Sequence, residues 1–508
     1  MNLAIKKDPT IIVLLLILAI AAGLNFYGID FPLGYHPDET LKVYFIQNNS
    51  QNFFHPIFIL QVVRTANLIF GFQSEQQIAV LGRATTALMG VAIVFLTYKI
   101  AEQQLPSRYA LGAALLTAVA PGMVMHSHYL KEDIALTFGI LLSFLSFFAL
   151  GERIRLMTTE VDQQAGKYSF IENIPWKQVI LFGSALGLTF AAKYKSGILL
   201  PLYFATPLYV LGLRKLVYFK CLFWSFSISL FTFLVINFPI LLNPKTFVRG
   251  FRYELDHALT GHNGIKVYPF EHFFSFHLRN SIVPSLTILP VILALGFLLY
   301  CIVKWGHINW RSRFLVCYVV FFYFVLEVSP LKPFPNFMRY MVPLIPMLSL
   351  FCMQGLDSLM TMIPRRSRSW LPLALLSLII VFPLMESVKF DYYINRDTRG
   401  KIEGMLAEKE RDVLMEAYVE PFTHPADFSR LPDLITEEQN ENVCTLVASS
   451  FMYDRYLFGG TLKNQEPDIY VKYQQYLELF EYPYTEIRPL YKSIAFSNPT
   501  LRVIDLCE

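Results

Sequence analysis

The sequence contains few charged residues. Only 16% of its 508 residues are Asp, Glu, Lys or Arg, whereas 54% are hydrophobic and 15% are aromatic. A soluble globular protein carries roughly 25% charged residues, so this composition indicates a chain whose main solvent is lipid. The net charge is only +4, and the basic residues are too scattered to form a nucleic-acid-binding surface.

Metal-binding patterns are also lacking. The six cysteines include no Cys-x-x-Cys pair, and no two histidines have the His-x-x-x-His spacing that puts both on one helix face. The sequence therefore identifies no metal ligand, although a divalent cation held by carboxylates stays open as a cofactor. Cys444 and Cys507 lie in a polar tail, where they would form a disulfide if that tail faces an oxidising compartment.

No small-x-small cleavage site follows the first apolar run. Lys6 and Lys7 precede residues 11–29, as in a signal peptide, but this run is long enough to cross a bilayer. We predict that it is retained as the first transmembrane helix.

Long apolar segments recur up to about residue 390. A hydrocarbon core about 30 Å thick needs roughly 20 apolar residues per helix. We therefore predict a polytopic α-helical membrane protein with about eleven spans, near residues 11–29, 80–100, 109–126, 133–150, 178–193, 197–213, 217–240, 281–303, 314–329, 340–357 and 370–388.

The distribution of Lys and Arg sets the orientation. Short cytoplasmic loops collect basic residues, and alternate loops here are basic: they hold Lys99, Arg108, Arg153, Arg155, Arg214, Lys215, Lys304, Arg311, Arg313, Arg365, Arg366 and Arg368. The amino terminus is then cytoplasmic, and an odd number of spans leaves the tail outside. The outer segments 30–79, 241–280 and 330–339 are long or polar enough to roof a cavity, and Phe247, Phe251 and Leu255 predict an interfacial helix.

The tail, residues 391–508, has a different composition. Residues 399–418 are patterned as an amphipathic helix, and 443–449 and 501–506 as strands. We predict a transmembrane domain over 1–390 and a small soluble extracytoplasmic domain of the α/β or α+β class over 391–508.

An acidic pair, Asp38-Glu39, follows the first span. Pro37 biases His36 toward an extended backbone and helps to present the pair at the membrane surface. Adjacent side chains point in different directions, so at most one of the two is expected to be catalytic. Asp38 could equally be the N-cap of an interfacial helix that begins at Glu39.

A second polar segment, 126–133, joins the third and fourth spans. It contains His128, Tyr129, Glu132 and Asp133, and ionisable residues at the edge of a bundle are costly unless they are paired or functional. Glu132 and Asp133 emerge on the same outer face as Asp38. The competing interpretation is that Asp133 caps the fourth span.

Three cations oppose the positive-inside trend. Lys193 and Lys195 lie between the fifth and sixth spans, and Arg339 opens the tenth span from outside. An anionic lipid phosphate would explain them, because Arg and Lys hold phosphate well. Snorkelling toward ordinary lipid head groups is the alternative.

These motifs, in this order, resemble the GT-C fold membrane glycosyltransferases related to the dolichyl-phosphate-mannose protein mannosyltransferases and the bacterial aminoarabinose transferases. The matching pieces are His36-Pro37-Asp38-Glu39, His55-Pro56, Ser127-His128-Tyr129 with Asp133, Lys193-Tyr194-Lys195-Ser196-Gly197, Gly261-His262-Asn263-Gly264, Arg339-Tyr340, and in the tail Asp397-Thr398-Arg399, residues 449–456 and Asn498-Pro499-Thr500. The resemblance implies inverting sugar transfer from a polyprenyl-phosphate donor to a lipid, protein or polysaccharide acceptor, with no soluble nucleotide sugar.

The resemblance also suggests roles for individual residues. Asp38 would be the general base, and Glu39 or Asp133 would orient the acceptor or the sugar. The donor phosphate would be held by Lys193, Lys195, Arg339 and His55, and substrate would contact His128, Tyr129, Glu132, His262 and Tyr340. A membrane transporter of a lipid-linked or small anionic substrate, or a structural or sensing protein, are the alternatives.

Overall fold

The fold is described by a computed structural model. It covers residues 9–163, 174–210, 215–260, 267–330, 332, 337–362, 370–406, 413–416, 418–419, 444–457, 467–491 and 495–507. Helices occupy most of the first 394 residues: α1 (Pro9–Phe26), α2 (Pro37–Gln47), α3 (Phe58–Phe70), α4 (Glu75–Ala101), α5 (Ser107–Val119), α6 (Pro121–Ser127), α7 (Glu132–Gln163), α8 (Trp176–Ala192), α9 (Leu200–Tyr209), α10 (Lys215–Ile236), α11 (Pro239–Leu242), α12 (Pro244–Thr260), α13 (Val283–Leu286), α14 (Ile288–Val303), α15 (Trp310–Val328), α16 (Ile345–Met362) and α17 (Leu371–Ile394).

Within the described ranges, six helical segments are long and apolar enough to cross a membrane, or eight if two bent pairs each count as one span. The six are Pro9–Phe26, Glu75–Ala101, Glu132–Met157, Leu216–Ile236, Val342–Met362 and Leu371–Ile402. The bent pairs are α5 with α6, at 52°, and Leu278–Leu286 with α14, at 111°. The membrane class predicted from composition is thus confirmed.

Three other predicted spans also coincide with helices, but with weaker ones. α8 has 17 residues and α9 has 10. α15 has 19 residues and carries Arg311, Arg313 and Glu327. Every predicted span therefore falls on helical structure, while the count of about eleven stays a prediction.

The helices of the membrane domain share one large apolar core. Buried side chains of α4, α5, α7, α8, α14, α15 and α16 form it. Small residues allow close packing within this bundle. At Gly90 of α4, an added Cβ would lie 2.4 Å from the Ser127 hydroxyl and 2.6 Å from the Asn25 amide nitrogen, so a larger residue would separate α4 from α1 and α6.

Four of the described helices come from segments that are predicted to lie outside. α2 and α3 come from the segment 30–79, and α11 and α12 from 241–280. α12 contains the apolar triplet Phe247, Phe251 and Leu255, so the predicted helix is present, while its place in the membrane interface stays a prediction. Leu68, Ile69 and Phe70 at the end of α3 are exposed, as suits a helix end in the membrane interface.

The tail forms a small sheet covered by helices on both faces. Its elements are α18 (Thr398–Leu406), β1 (Val413–Met415), β2 (Thr445–Ser449), α19 (Ser450–Leu457), α20 (Pro467–Leu479), β3 (Tyr484–Ile487) and β4 (Leu501–Asp505), with strand order β1-β2-β4-β3. β1 and β2 are parallel and the other pairs are antiparallel. Leu446 and Ala448 pack toward α19 and α20, while Val447 packs with Ile402 of α18.

The predicted tail helix over 399–418 is wrong in its second half. The described helix ends at Leu406, and Val413–Met415 form β1. All three residues of β1 are buried beside β2. Burial on both faces of the sheet gives a continuous apolar run, which periodicity alone does not distinguish from a buried helix segment.

Arg399 of the tail makes hydrogen bonds to the membrane domain. Its guanidinium pairs with Asp397 at 2.8 and 2.9 Å and donates to the carbonyl of Tyr35, at 3.1 Å, and to that of Phe496, at 2.8 Å. The backbone N–H of Asn498 donates to Asp397 at 2.5 Å. Two tail motifs that are far apart in sequence thus meet on the segment that precedes α2.

A disulfide joins Cys444 to Cys507, with their Cα atoms 5.1 Å apart. It links the residue before β2 to the carboxy-terminal end of β4. The structure therefore settles the pairing that the sequence left conditional. Disulfides persist in oxidising compartments, which agrees with a tail outside the cytoplasm.

Replacing Arg399 should loosen the tail. Arg399→Ala leaves the buried carboxylate of Asp397 unpaired, and breaking a buried ion pair costs about 3–5 kcal/mol. Arg396→Ala is the matched control, because Arg396 is exposed and lies over the Tyr392 ring. We expect a lower melting temperature and faster proteolysis of the tail in detergent for Arg399→Ala only. Equal stability of the two variants would contradict the anchoring role.

Candidate active site

One cavity of about 260 Å³ gathers the polar residues of the outer segments. Its wall includes residues of α2, the loop 51–57, the corner between α6 and α7, α12 and the segment after α8. Five cations and three carboxylates line it: Lys42, Lys131, Lys193, Lys195 and Arg339, with Asp38, Glu132 and Glu254. The excess of positive charge suits an anionic ligand.

Asp38 stands at the start of α2. His36 precedes the helix in an extended conformation and is its N-cap, because its Nδ1 accepts from the Asp38 N–H at 3.2 Å. Pro37 occupies the first helical position, where the missing N–H costs nothing. Asp38 is therefore not the N-cap, and its carboxylate is free to face the cavity, with 43% of its side chain exposed there.

The Asp38 carboxylate is held ionised. Burial opposes its charge, but Lys131, Arg339 and Lys42 outweigh that effect and keep the pKa of the carboxyl well below its usual value. Lys131 contacts it directly through Nζ. Burial lowers the pKa of His36, which agrees with an unprotonated Nδ1 that accepts a hydrogen bond.

Glu39 points the other way. It is fully buried and pairs with Arg83 of α4, at 2.6 Å for Nη2 to Oε2 and 3.1 Å for Nε to Oε1. The Leu130 N–H also donates to it at 2.8 Å. Glu39 does not line the cavity, so its carboxylate ties together α2, α4 and the corner before α7 instead of facing a substrate.

Lys131 and Glu132 form a chain of charges across the cavity wall. Lys131 Nζ reaches Asp38 and lies 3.8 Å from Glu132 Oε2. Lys42 holds the other oxygen of Glu132. The predicted residue Glu132 is thus in the cavity, but between two lysines.

Asp133 is engaged by Lys193. Lys193 Nζ lies 2.5 Å from Asp133 Oδ1, and both side chains are almost fully buried. Asp133 Oδ2 accepts no hydrogen bond from the residues that the structure describes. Asp133 itself does not line the cavity, so it fixes a cation that does.

The predicted phosphate-binding cations lie around the ring of Tyr340. Lys195 Nζ lies 2.8 Å from the centroid of that ring, Arg339 Cζ 5.1 Å and Lys193 Nζ 5.6 Å. Burial and the neighbouring charges of Lys193 and Arg339 depress the pKa of Lys195 well below its usual value. A bound anion would relieve this repulsion.

His55 faces the cavity next to Glu254, 3.8 Å away. Burial, Lys131 and Lys193 keep its pKa well below the usual value. A neutral imidazole can donate a hydrogen bond to phosphate but adds no positive charge.

Two predicted substrate residues, His128 and Tyr129, do not line the cavity. The ring nitrogens of His128 lie 2.8 Å from the Val124 carbonyl and 2.9 Å from that of Tyr27, and Nε2 also lies 3.5 Å from Asp391 Oδ1, so both nitrogens face groups of the fold instead of the cavity. Tyr129 is buried against His36 and Phe31. His262 lies outside the described residues. Tyr129 packs on the ring of His36, the residue that caps α2, whereas His128 contacts α6, Tyr27 and α17.

Over the described ranges, no group of three or more His, Cys, Asp or Glu side chains could hold a metal ion. The cavity carboxylates are each next to a cation or a histidine, which competes with a metal. A divalent cation therefore has no assigned ligands here, and its involvement stays untested.

Several residues of the cavity are not among those predicted from the sequence: Lys42, Lys131, Tyr253, Glu254, His257, Tyr418 and Phe496. Lys42 and Lys131 could have been identified in the same way as Lys193, because each is a basic residue in a segment that is predicted to lie outside. Tyr418 and Phe496 belong to the tail, and nothing in their local sequence shows that they reach the membrane domain.

The two acidic neighbours should differ in what they stabilise. Glu39→Gln leaves Arg83 buried without its counter-charge, at a cost of about 3–5 kcal/mol. Asp38→Asn removes a carboxylate that is 43% exposed, so the melting temperature should change little. Thermal unfolding of both variants in detergent measures the difference. A larger loss for Asp38→Asn would contradict this division of roles.

Residues 12–249 match the family model of the dolichyl-phosphate-mannose-protein mannosyltransferases. The matched range contains Asp38, Lys131, Lys193 and Lys195. No curated protein sequence matches the chain.

Solved structures share the fold at low sequence identity. The oligosaccharyltransferase of Archaeoglobus fulgidus, tethered with an acceptor peptide, gives a TM-score of 0.58 at 14% identity over 97% of this chain and 74% of that one. The archaeal oligosaccharyltransferase AglB from Archaeoglobus fulgidus, in complex with an inhibitory peptide and a dolichol-phosphate, gives 0.54 at 14% identity over 80% of this chain. The chain spans 59% of the length of that structure.

ArnT from Cupriavidus metallidurans, bound to undecaprenyl phosphate, gives a TM-score of 0.53 at 15% identity and covers 97% of both chains. The likeness therefore includes the carboxy-terminal domain as well as the helical bundle. These matches confirm the resemblance inferred from the motifs: the chain is a membrane protein with the GT-C glycosyltransferase fold, and its residues 12–249 carry the sequence pattern of the protein mannosyltransferases.

Proposed function

We propose that the chain transfers a sugar, a hexose or a pentose, from a polyprenyl-phosphate carrier to an acceptor hydroxyl at the outer face of the membrane, with inversion at the anomeric carbon. The observation that carries this proposal is the position of Asp38 in one cavity with Lys193, Lys195 and Arg339. A proton acceptor and an anion site are the two groups that this reaction needs.

Asp38 is the general base of the proposed reaction. As the acceptor oxygen attacks the anomeric carbon, its O–H bond breaks and the proton passes to the Asp38 carboxylate. The bond from that carbon to the phosphate oxygen breaks, and its electron pair leaves with the phosphate. Attack on the face opposite the leaving group inverts the configuration. The low pKa of Asp38 keeps the carboxylate in its proton-accepting form.

Lys193, Lys195 and Arg339 stabilise the departing phosphate. Its negative charge grows during the reaction, so fixed cations stabilise the transition state more than the ground state. Tyr340 and Asp133 hold these cations in place before the donor arrives. Preorganisation of this kind lowers the cost of reorienting charge during the reaction.

The structural relatives support the donor class. AglB is seen with a dolichol-phosphate and ArnT with undecaprenyl phosphate. Both are polyprenyl phosphates, which fits a cavity of cations at the end of an apolar bundle. The isoprenoid chain would lie among the membrane helices.

The sidedness of the loops supports an outward-facing site in a plasma or inner membrane. Loops that the positive-inside rule assigns to the cytoplasm contact one another: Arg311 pairs with Glu152 at 3.3 Å, and Ser312 donates to Gln104 at 2.8 Å. The loops assigned to the outside meet at the cavity. With a cytoplasmic amino terminus, the cavity and the disulfide-bonded tail both face outward.

A transporter of an anionic substrate remains the alternative. Transporters hold their substrates near the bilayer midplane, on broken helices. The charged residues of this cavity come from outer segments and helix ends, which favours transfer at the surface over passage through the membrane.

Asp38→Asn should abolish sugar transfer in purified protein supplied with a polyprenyl-phosphate sugar. The amide cannot accept the proton, so we expect a loss of at least about 10²-fold in turnover. Folding should be retained, and binding of polyprenyl phosphate should not weaken. Radiolabelled sugar passing to the acceptor measures turnover, and near-normal turnover would remove Asp38 as the base.

Arg339→Ala should weaken the binding of polyprenyl phosphate. A charge-assisted contact to phosphate contributes about 1.5–3 kcal/mol, so we expect roughly a tenfold or greater rise in Kd. Arg279→Ala is the matched control, because Arg279 is exposed and does not line the cavity. Unchanged affinity in Arg339→Ala would count against its phosphate role.

A further inference from the structure

Lys131 holds the proposed base directly. Its Nζ contacts Asp38 Oδ2, and only 3% of its side chain is exposed. It comes from the corner before α7, so this contact joins the base to a different part of the bundle. No role was assigned to Lys131 by the sequence motifs.

A carboxylate paired with an ammonium is a weak proton acceptor. General-base efficiency rises as the pKa of the base approaches the working pH, and the contact with Lys131 moves Asp38 the other way. The other groups that face Asp38 are His36, Lys42 and Arg339. Burial keeps His36 well below its usual pKa, and Lys42 is itself held by Glu132.

Lys131 has a second acceptor within reach. Glu132 Oε2 lies 3.8 Å from its Nζ and accepts no hydrogen bond from the described residues. Glu132 is almost fully buried, with its other oxygen on Lys42. The ammonium can therefore leave Asp38 without losing a counter-charge.

We propose that Lys131 is a positioning residue that holds Asp38 in the donor-free enzyme and moves toward the donor phosphate when the carrier binds. This inference rests on the proposed function. The phosphate and Asp38 compete for one ammonium, so binding of the donor frees the base. The protonation step is unchanged: the acceptor proton still goes to Asp38, and the electron pair of the broken bond still leaves with the phosphate.

The competition has a consequence for binding alone. Asp38→Asn removes the carboxylate that competes with the phosphate for Lys131, so the variant should bind polyprenyl phosphate more tightly than the wild type. Removing a negative charge also raises affinity in a general way, and that part does not depend on Lys131. A double-mutant cycle separates the two contributions.

The cycle compares the Kd for polyprenyl phosphate in the wild type, Asp38→Asn, Lys131→Met and the double variant. We expect Asp38→Asn to tighten binding roughly three-fold to tenfold in the presence of Lys131, and less than about two-fold in the Lys131→Met background. Lys389→Met and Asp468→Asn, two exposed positions that do not line the cavity, are matched controls.

An equal gain in both backgrounds, or no gain in either, would overturn the competition. These readouts need no turnover. If Asp38→Asn still transfers sugar, the proposed base fails, whereas an inactive Asp38→Asn with no coupling to Lys131 removes only the present inference.

The pH dependence of turnover is a second readout of the same experiment. In the wild type, the acid limb of kcat should lie at higher pH than that of kcat/KM, because the first reports the donor-bound enzyme and the second the free enzyme. In Lys131→Met the acid limbs of kcat and kcat/KM should coincide, at a pH closer to the ordinary pKa of an Asp carboxyl. Limbs that coincide in the wild type would also overturn the proposal.

Discussion

The buried ion pair between Glu39 and Arg83 is the constraint on which the cavity depends. It joins the first turn of α2 to α4, while the Leu130 N–H adds the corner before α7. Charges in an apolar interior are costly unless they are fully paired, and here both carboxylate oxygens are engaged. Because adjacent residues of a helix point in different directions, fixing Glu39 inward turns Asp38 toward the cavity.

The buried cations of the cavity differ in how their charge is neutralised. Asp38, Glu132 and Asp133 each neutralise a lysine, whereas Lys195 and Arg339 are crowded around the ring of Tyr340. The result is a site with several paired charges and an excess of positive charge. An anionic ligand would neutralise that excess. Lys131 is the cation best placed to move from Asp38 to such a ligand.

The tail domain is part of the wall of this site. Arg399 fastens it to the segment before α2, and Phe496 packs on the His36 ring at 4.2 Å between centroids. Tyr418 stacks on Phe496 and also lines the cavity. Since His36 is the N-cap of α2, an aromatic contact from the tail supports the turn that presents Asp38.

The sequence by itself determined the membrane class, the approximate positions of the apolar helical spans, the mixed helix and strand character of the tail, and five of the cavity's charged residues, Asp38, Glu132, Lys193, Lys195 and Arg339. The length of an apolar segment and the distribution of Lys and Arg between loops are local properties, so they can be recognised without knowing the fold. Only the tertiary structure decided that Glu39 faces Arg83, that Asp133 holds Lys193, that His128 is occupied by carbonyls, and that Lys42, Lys131 and Phe496 reach the cavity. Those outcomes depend on contacts between residues far apart in the chain, because a charged group in a low-dielectric interior takes the partner that the packing of helices brings within reach.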